Sequence, residues 1–261
     1  MRRFTKDSLA FALNEIRDQG WIESGRKGND GAVGNTLEDL LGIDENNLPL
    51  PNAGEWEVKG QRADTSSLIT LFHMEPSPRA FKFVPKILLP HYGWQHKQAG
   101  SKYPQNEMSF RQTLTAGKRT NRGFTIAVNR DAGRVEVSFD NESVDRHAHG
   151  AWLATVDERT GLGELDPQPY WGLNDLFHKA GTKLGKTLYA IADRKRVNDV
   201  EYFRYSQFLM LEGFQLNRFV DAIEDGEIQV DFDARTGHNH GTKFRLRQRR
   251  YQLLYDSIKA I

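Results

Sequence analysis

Two sets of side chains in this sequence have the types and spacing to do chemistry. In GEWEVKGQR, residues 54–62, Glu55, Glu57 and Lys59 fall at every second position, so on an extended strand they share one face while Trp56 and Val58 take the other. Two carboxylates and an ammonium in one row offer hard oxygen to a divalent cation, and positive charge to a phosphodiester and the water that attacks it. Alone, Glu-x-Lys is far more often a solvated strand face with compensating charges. Glu38 adds to the case. In GNTLEDLLG it stands about 100° round a helix from Leu37, on the rim of the apolar face, and the short LPLPNAG connection, 48–54, keeps this third carboxylate close to the strand.

The second set lies near the other end. Lys243, Arg245, Arg247, Arg249 and Arg250 put five cations into eight positions with no acid among them, although the whole chain carries only +1. On a strand, Lys243, Arg245 and Arg247 share a face while Phe244 and Leu246 turn inward, a cationic row suited to phosphates and to guanine O6 and N7. A solvated charge run is the plainer alternative. Just before it, His238 and His240 sit in a turn with Gly237 and Gly241, where a partner can approach closely. As a metal pair they lack a third ligand at standard spacing. GTKLGKT, 181–187, has neither the spacing nor the preceding strand of a phosphate loop. HYGWQHKQAGSKYP, 91–104, reads either as a partner-facing loop or as an aromatic-anchored one.

The elements that must position these groups follow from periodicity. A helix starts after Thr5, carries Leu9, Leu13 and Ile16 on one side, and stops at Gly20; a second carries Val33, Leu37, Leu40 and Leu41 and ends at Gly42. Strands are expected over 54–62, 66–74 and 81–89, with a hairpin of 123–128 and 134–140. The acidic, Gly- and Pro-punctuated stretch 141–169 reads as a candidate boundary. Then come a helix over 173–184, strands over 186–196 and 203–211, a helix over 214–226, strands 227–235 and 242–247 paired across TGHNHG, and a terminal helix carrying Leu253, Leu254 and Ile258. The fold class is α/β or α+β, built on a mixed sheet.

Composition excludes several classes. With 261 residues and 38% hydrophobic side chains the chain is ample for a core. Without cysteine it forms no disulfide and no thiolate zinc cluster. It has no apolar run of membrane-spanning length and no secretory leader, so the expected location is cytoplasmic with no membrane association.

GNTLEDLLG, LPLPNAGEWEVKGQR and TGHNHGTKFRLR, in that order over most of the chain, resemble the MvaI/BcnI type of restriction endonuclease, relatives of the mismatch-repair nicking enzyme MutH. The resemblance implies a PD-(D/E)xK nuclease fold, a MutH-like two-lobed monomer around a DNA cleft. It implies Mg²⁺-dependent hydrolysis of double-stranded DNA at CC-N-GG-type sites, CCWGG ahead of CCSGG, one strand at a time and without an obligate protein partner. The expected lobes are a catalytic one over 1–165 and a recognition one over 166–261. Carried over residue by residue, Glu38 matches the helix glutamate, Glu57 and Lys59 the E-x-K, and Asn52 falls where an aspartate is expected. Asn52 and Glu57 would then be the metal ligands. Asn52 is a departure, because an amide lacks the charge that holds a metal. It leaves three alternatives: an inactivating change, Glu55 as the true ligand, or a different register. The resemblance also assigns base recognition to His238, His240 and Arg245, with Asp233 and Arg235 as neighbours. Asp231, Asp233 and Arg235 alternate on one strand face, and carboxylates suit cytosine N4 as Arg suits guanine. Two other readings stay open: a MutH-like repair nickase answering to an activator, and a catalytically impaired sequence-specific DNA-binding protein.

Overall fold

Helix α1 (Lys6–Asp18) starts where Thr5 Oγ1 accepts from the Ser8 N–H at 3.2 Å and Ser8 Oγ accepts from the Thr5 N–H at 3.0 Å, each satisfying a donor at the helix start. Leu9, Leu13 and Ile16 form its buried side, as their spacing predicts. Helix α2 (Ala32–Leu41) stops at Gly42, which takes the left-handed conformation at φ 66°. The computed structural model describes residues 4–25, 31–43, 51, 53–64 and 67–261. Asn52 lies outside the described residues.

In chain order the strands are β1 (Ile22–Glu23), β2 (Glu57–Arg62), β3 (Leu68–His73), β4 (Trp94–Gln95), β5 (Met108–Leu114), β6 (Arg122–Asn129) and β7 (Arg134–Val144). They continue as β8 (Tyr170–Gly172), β9 (Lys186–Val197), β10 (Val200–Phe214), β11 (Ile228–Arg235), β12 (His238–Asn239), β13 (Lys243–Arg247) and β14 (Tyr255–Ala260). The remaining α-helices are α3 (Leu89–Tyr92), α4 (Arg146–Thr160), α5 (Leu173–Leu184) and α6 (Leu216–Glu224). No helix among the described residues is long and apolar enough to cross a membrane.

The chain divides into two compact units, one formed by residues 1–69, 178–216 and 247–261, the other by 70–177 and 217–246. Each is assembled from separated stretches, whereas the sequence reading placed a single boundary at 165.

In the first unit the sheet order is β1-β10-β9-β2, with β14 also paired to β10. The sheet is mixed: β2 runs parallel to β9, with Glu57 opposite Thr187 and Lys59 opposite Tyr189, and β9 and β10 are antiparallel. Helices α1 and α2 contribute Leu9, Leu13, Val33 and Leu37 to a core shared with Val58, Phe203 and Tyr205. At one point α2 meets β2 backbone to backbone. A Cβ on Gly60 would lie 2.7 Å from Gly34 N and 2.9 Å from Val33 Cγ1, so no side chain fits there. That contact orients β2: Val58 and Gly60 face the helix, and Glu57, Lys59 and Gln61 turn to the other face.

The second unit holds a sheet ordered β3-β13-β11-β5-β4, with β12 on β11, and a separate sheet β6-β7-β8. Strand β11 alternates buried Ile228, Val230, Phe232 and Ala234 with partly exposed Gln229, Asp231, Asp233 and Arg235. Its inner side chains join an aromatic core in which Phe110 meets Phe124 and Phe232 edge-on at 5.6 Å and 5.5 Å between ring centres.

Three expectations fail here for identifiable reasons. Residues 81–89 are not a strand: Val84–Leu88 form a wide helical turn leading into α3, with Val84 and Leu88 buried four apart and a proline at the start of each piece. The stretch 141–169 is not a boundary between the units: it lies inside the second, where Asp145 caps α4 by accepting from the Ala148 N–H and Trp152, Leu153 and Val156 are buried. The expected terminal helix is a 3-10 segment, Gln248–Leu254, followed by β14, whose pairing with β10 outcompetes local helical spacing and leaves Leu253 and Ile258 exposed.

Candidate functional site

Strand β2 buries one carboxylate among cations. Glu57 is 3% exposed at its side chain; Lys59 Nζ lies 2.7 Å from its Oε1 and Lys183 Nζ, from the end of α5, 2.8 Å from its Oε2. The Oε2 contact is an ion pair without a directed hydrogen bond. A buried carboxylate costs several kcal/mol in desolvation unless it is paired, and two ammonium groups meet that need here. Opposite Glu57, Thr187 Oγ1 shares hydrogen bonds with the hydroxyls of Tyr255 at 2.7 Å and Tyr251 at 3.2 Å. Burial, with a smaller contribution from the Glu57 charge, pushes Tyr255 up to about 12, and burial followed by the neighbouring Tyr255 raises Tyr251 well above the usual tyrosine value, so neither hydroxyl is poised to act as a base. Gln61, next on the same face, accepts a hydrogen bond from the Tyr189 hydroxyl.

The structure brings Glu57 and Lys59 together and treats the other expected members differently. Glu55 is not in the strand row. It occupies the turn closed by the Ala53–Trp56 bridge, is two-thirds exposed, and pairs with Lys186, whose hydrogen bond and charge hold its carboxyl below the usual glutamate range. Glu38 lies one turn beyond Gly34 on α2, on the side that meets β2, and its charge is among those acting on the buried Tyr205 hydroxyl. Lys183, Thr187 and Tyr251 were not found from sequence. Lys183 and Thr187 both lie within GTKLGKT, whose lysines were the available signal.

As a cation site, Glu57 supplies the right donor type, a buried carboxylate oxygen that no hydrogen bond engages. No cluster of three ligating side chains occurs among the described residues.

The second expected site forms an ion-paired lattice on the outer face of β11 and its neighbours. Asp231 accepts from Thr113 Oγ1 at 2.9 Å and from Arg245 NH1 at 3.3 Å; Asp233 accepts from Arg111 Nε at 2.7 Å and Lys243 Nζ at 3.3 Å. Burial works to raise the Asp233 carboxyl, but hydrogen bonds from Arg111 and Lys243 and their charges hold it below the usual aspartate range. Arg235 binds Glu107 at 3.1 Å and lies over the Tyr103 ring at 4.7 Å. Beyond the strand, His238 and His240 are exposed and meet edge-on, ring centres 4.2 Å apart, while Arg247 ends β13 exposed. Glu75 fixes the turn, accepting from the Thr242 N–H at 3.0 Å and from Asn239 Nδ2 at 3.3 Å. Sequence reasoning missed Arg111, Thr113 and Glu75, which lie on other strands or loops.

The model of the MvaI/BcnI restriction endonuclease family matches residues 11–255. The chain belongs to that family. It is accordingly a type II restriction endonuclease, a site-specific deoxyribonuclease acting on DNA. Among solved structures, restriction endonuclease MvaI in complex with cognate DNA aligns with a TM-score of 0.77 at 24% identity, covering 98% of this chain and 99% of that one. MvaI in the absence of DNA aligns with a TM-score of 0.55 at 24% identity over 100% of both chains. These likenesses establish the fold, a mixed α+β restriction-endonuclease arrangement with no closed barrel. No match is found among curated protein sequences.

Proposed function

We propose that the chain hydrolyses double-stranded DNA at a CC-N-GG-type site, CCWGG ahead of CCSGG, with Mg²⁺ and one strand at a time, acting as a monomer in the cytoplasm. The observation that carries the reading is the Glu57–Lys59 pair at 2.7 Å on a buried strand face, in a chain of this family. Lys59 holds the attacking water and takes up part of its charge change, Glu57 holds Lys59, and the Glu57 carboxylate together with position 52 would hold the cation. Glu38 orients this group, and Lys183 keeps the Glu57 carboxylate in place. Mg²⁺, when bound, supplies Lewis acidity and lowers the pKa of water. Water attacks phosphorus in line with the 3′ oxygen, which leaves with a proton, and the product end carries the 5′ phosphate.

Recognition belongs to the β11–β13 face. Asp231, Asp233, Arg235, Lys243, Arg245 and Arg247 carry donors and acceptors suited to C·G pairs and phosphates, with His238 and His240 at the turn. A second reading, a sequence-specific DNA-binding protein with weak catalysis, is favoured by Asn52 standing where the resemblance expects aspartate. Incubation of supercoiled plasmid with Mg²⁺ tests both readings. The expected course is through an open-circle intermediate to fragments ending at one site. Direct conversion to linear form without a nicked species contradicts the monomer, and binding without any cleavage in Mg²⁺ or Mn²⁺ selects the second reading.

A further inference from the structure

The second unit contains a cavity of ≈ 410 Å³ between the end of β5 and the start of β6, lined by Gln112, Thr113, Lys118, Arg119, Arg122 and His149 among others, with no acidic residue in the lining. Arg122 is the unusual member. Its guanidinium makes neither an ion pair nor a hydrogen bond among the described residues, and its Nε is buried without a partner. It is held instead by aromatic faces, 4.0 Å from the Trp94 ring centre and 5.4 Å from that of Trp152. Burial lowers its pKa, and burial followed by the Arg122 charge keeps His149 below the usual histidine range. Two carboxylates are near: Asp140, 3.7 Å from Arg119, and Asp145, whose charge acts on His149; neither pairs with Arg122. Lys118 is exposed at the rim.

Stacked rings offset part of the cost of stripping water from a guanidinium, but they accept no hydrogen bonds in its plane. The missing partner is an oxyanion that takes two parallel N–H donors, the geometry in which arginine matches phosphate. The cavity is within the range of small-molecule sites, roughly 300–1,000 Å³, and Thr113, which lines it, donates to Asp231 on the expected base-reading face. We infer that this cavity is a phosphate-binding pocket, with Arg122 as its fork and Lys118 and Arg119 as surrounding charge. Resting on the DNA-cleaving reading above, the phosphate is one of the DNA backbone beside the recognised pairs.

Trp94 and Trp152 make the pocket its own probe. Titrating the whole protein with inorganic phosphate against potassium chloride of equal ionic strength should give a saturable change in tryptophan fluorescence. Arg122→Gln should weaken it about tenfold or more and Lys118→Ala about threefold, since charge-assisted bonds carry such a site. Lys118 is exposed, so that variant remains informative if Arg122→Gln does not fold. In the second arm, duplex binding is measured against salt; Arg122→Gln should lower the slope of log K on log salt by about one while leaving discrimination between cognate and scrambled duplexes intact. No phosphate response, or equal responses in both variants, overturns the pocket. A phosphate response with an unchanged DNA slope supports the pocket and overturns DNA as its source. If the wild-type chain binds no duplex, the DNA-cleaving reading fails, and the phosphate arm still decides the pocket.

Discussion

The two charged regions of this molecule are built on opposite terms. Around Glu57 a single carboxylate is almost fully buried and contacted by two lysines, so the cluster is compact and cationic. On the β11 face, Asp231 and Asp233 are shared among Arg245, Lys243 and Arg111, and these side chains are partly or largely open to water. Burial strengthens every interaction of the first cluster and fixes its geometry, which is what positioning a reacting water demands. The second is a lattice of exchangeable partners: each acid already accepts from a cation, so a base edge can replace one partner at modest cost. The lesson is that charge in a sequence speaks to chemistry only once its burial and pairing are known.

That contrast can be broken most sharply at Glu57. Glu57→Ala leaves two ammonium groups facing a void and should cost about 3–5 kcal/mol in stability, measured by urea unfolding; Glu57→Gln should keep the fold and lower cleavage by about 100-fold or more. If both are as stable and active as wild type, the cluster is ornamental. Asn52→Asp restores the charge a metal requires and should raise Mg²⁺-dependent plasmid cleavage at least about tenfold; no gain would move the ligand role to Glu55. On the other face, Arg245→Ala should cost about 1–3 kcal/mol of discrimination at a single base pair, read from competition with substituted duplexes, with little change in the unfolding midpoint. Gly60→Ala tests the scaffold alone: a Cβ 2.7 Å from Gly34 N should cost about 1–3 kcal/mol. The smallest effect concerns acid. The depressed Asp233 carboxyl contributes stability in full above the ordinary aspartate value of about 3.9 and loses it as pH falls through its lower folded value. Asp233→Asn should therefore flatten the acid limb of the stability curve below that pH.

How much of this was legible in the sequence depended on distance along the chain. The Thr5 cap, the Gly42 stop, the 123–140 hairpin and the alternation of β11 are local patterns, and the structure keeps them. So is the Glu57–Lys59 spacing. Lys183 was invisible because only the α5–β9 connection and the parallel register of β9 on β2 bring it to Glu57. Arg111 and Thr113 reach Asp233 and Asp231 through the pairing of β5 with β11, again a non-local fact. The terminal segment misled because Leu254 and Ile258 fit helical spacing, while an open edge of β10 offered a strand a full set of hydrogen bonds. Glu55 misled because the turn at Ala53–Trp56 ends the alternation one residue before β2 begins.

We propose that Glu57 and Lys59 form the catalytic centre. The most direct test compares Asn52→Asp with the double variant Asn52→Asp/Glu57→Gln on one plasmid bearing a CCWGG site, following cleavage in Mg²⁺ and duplex binding in Ca²⁺. The double variant should bind the duplex as the single variant does but leave the plasmid intact. Cutting by both at the same rate would contradict the proposal.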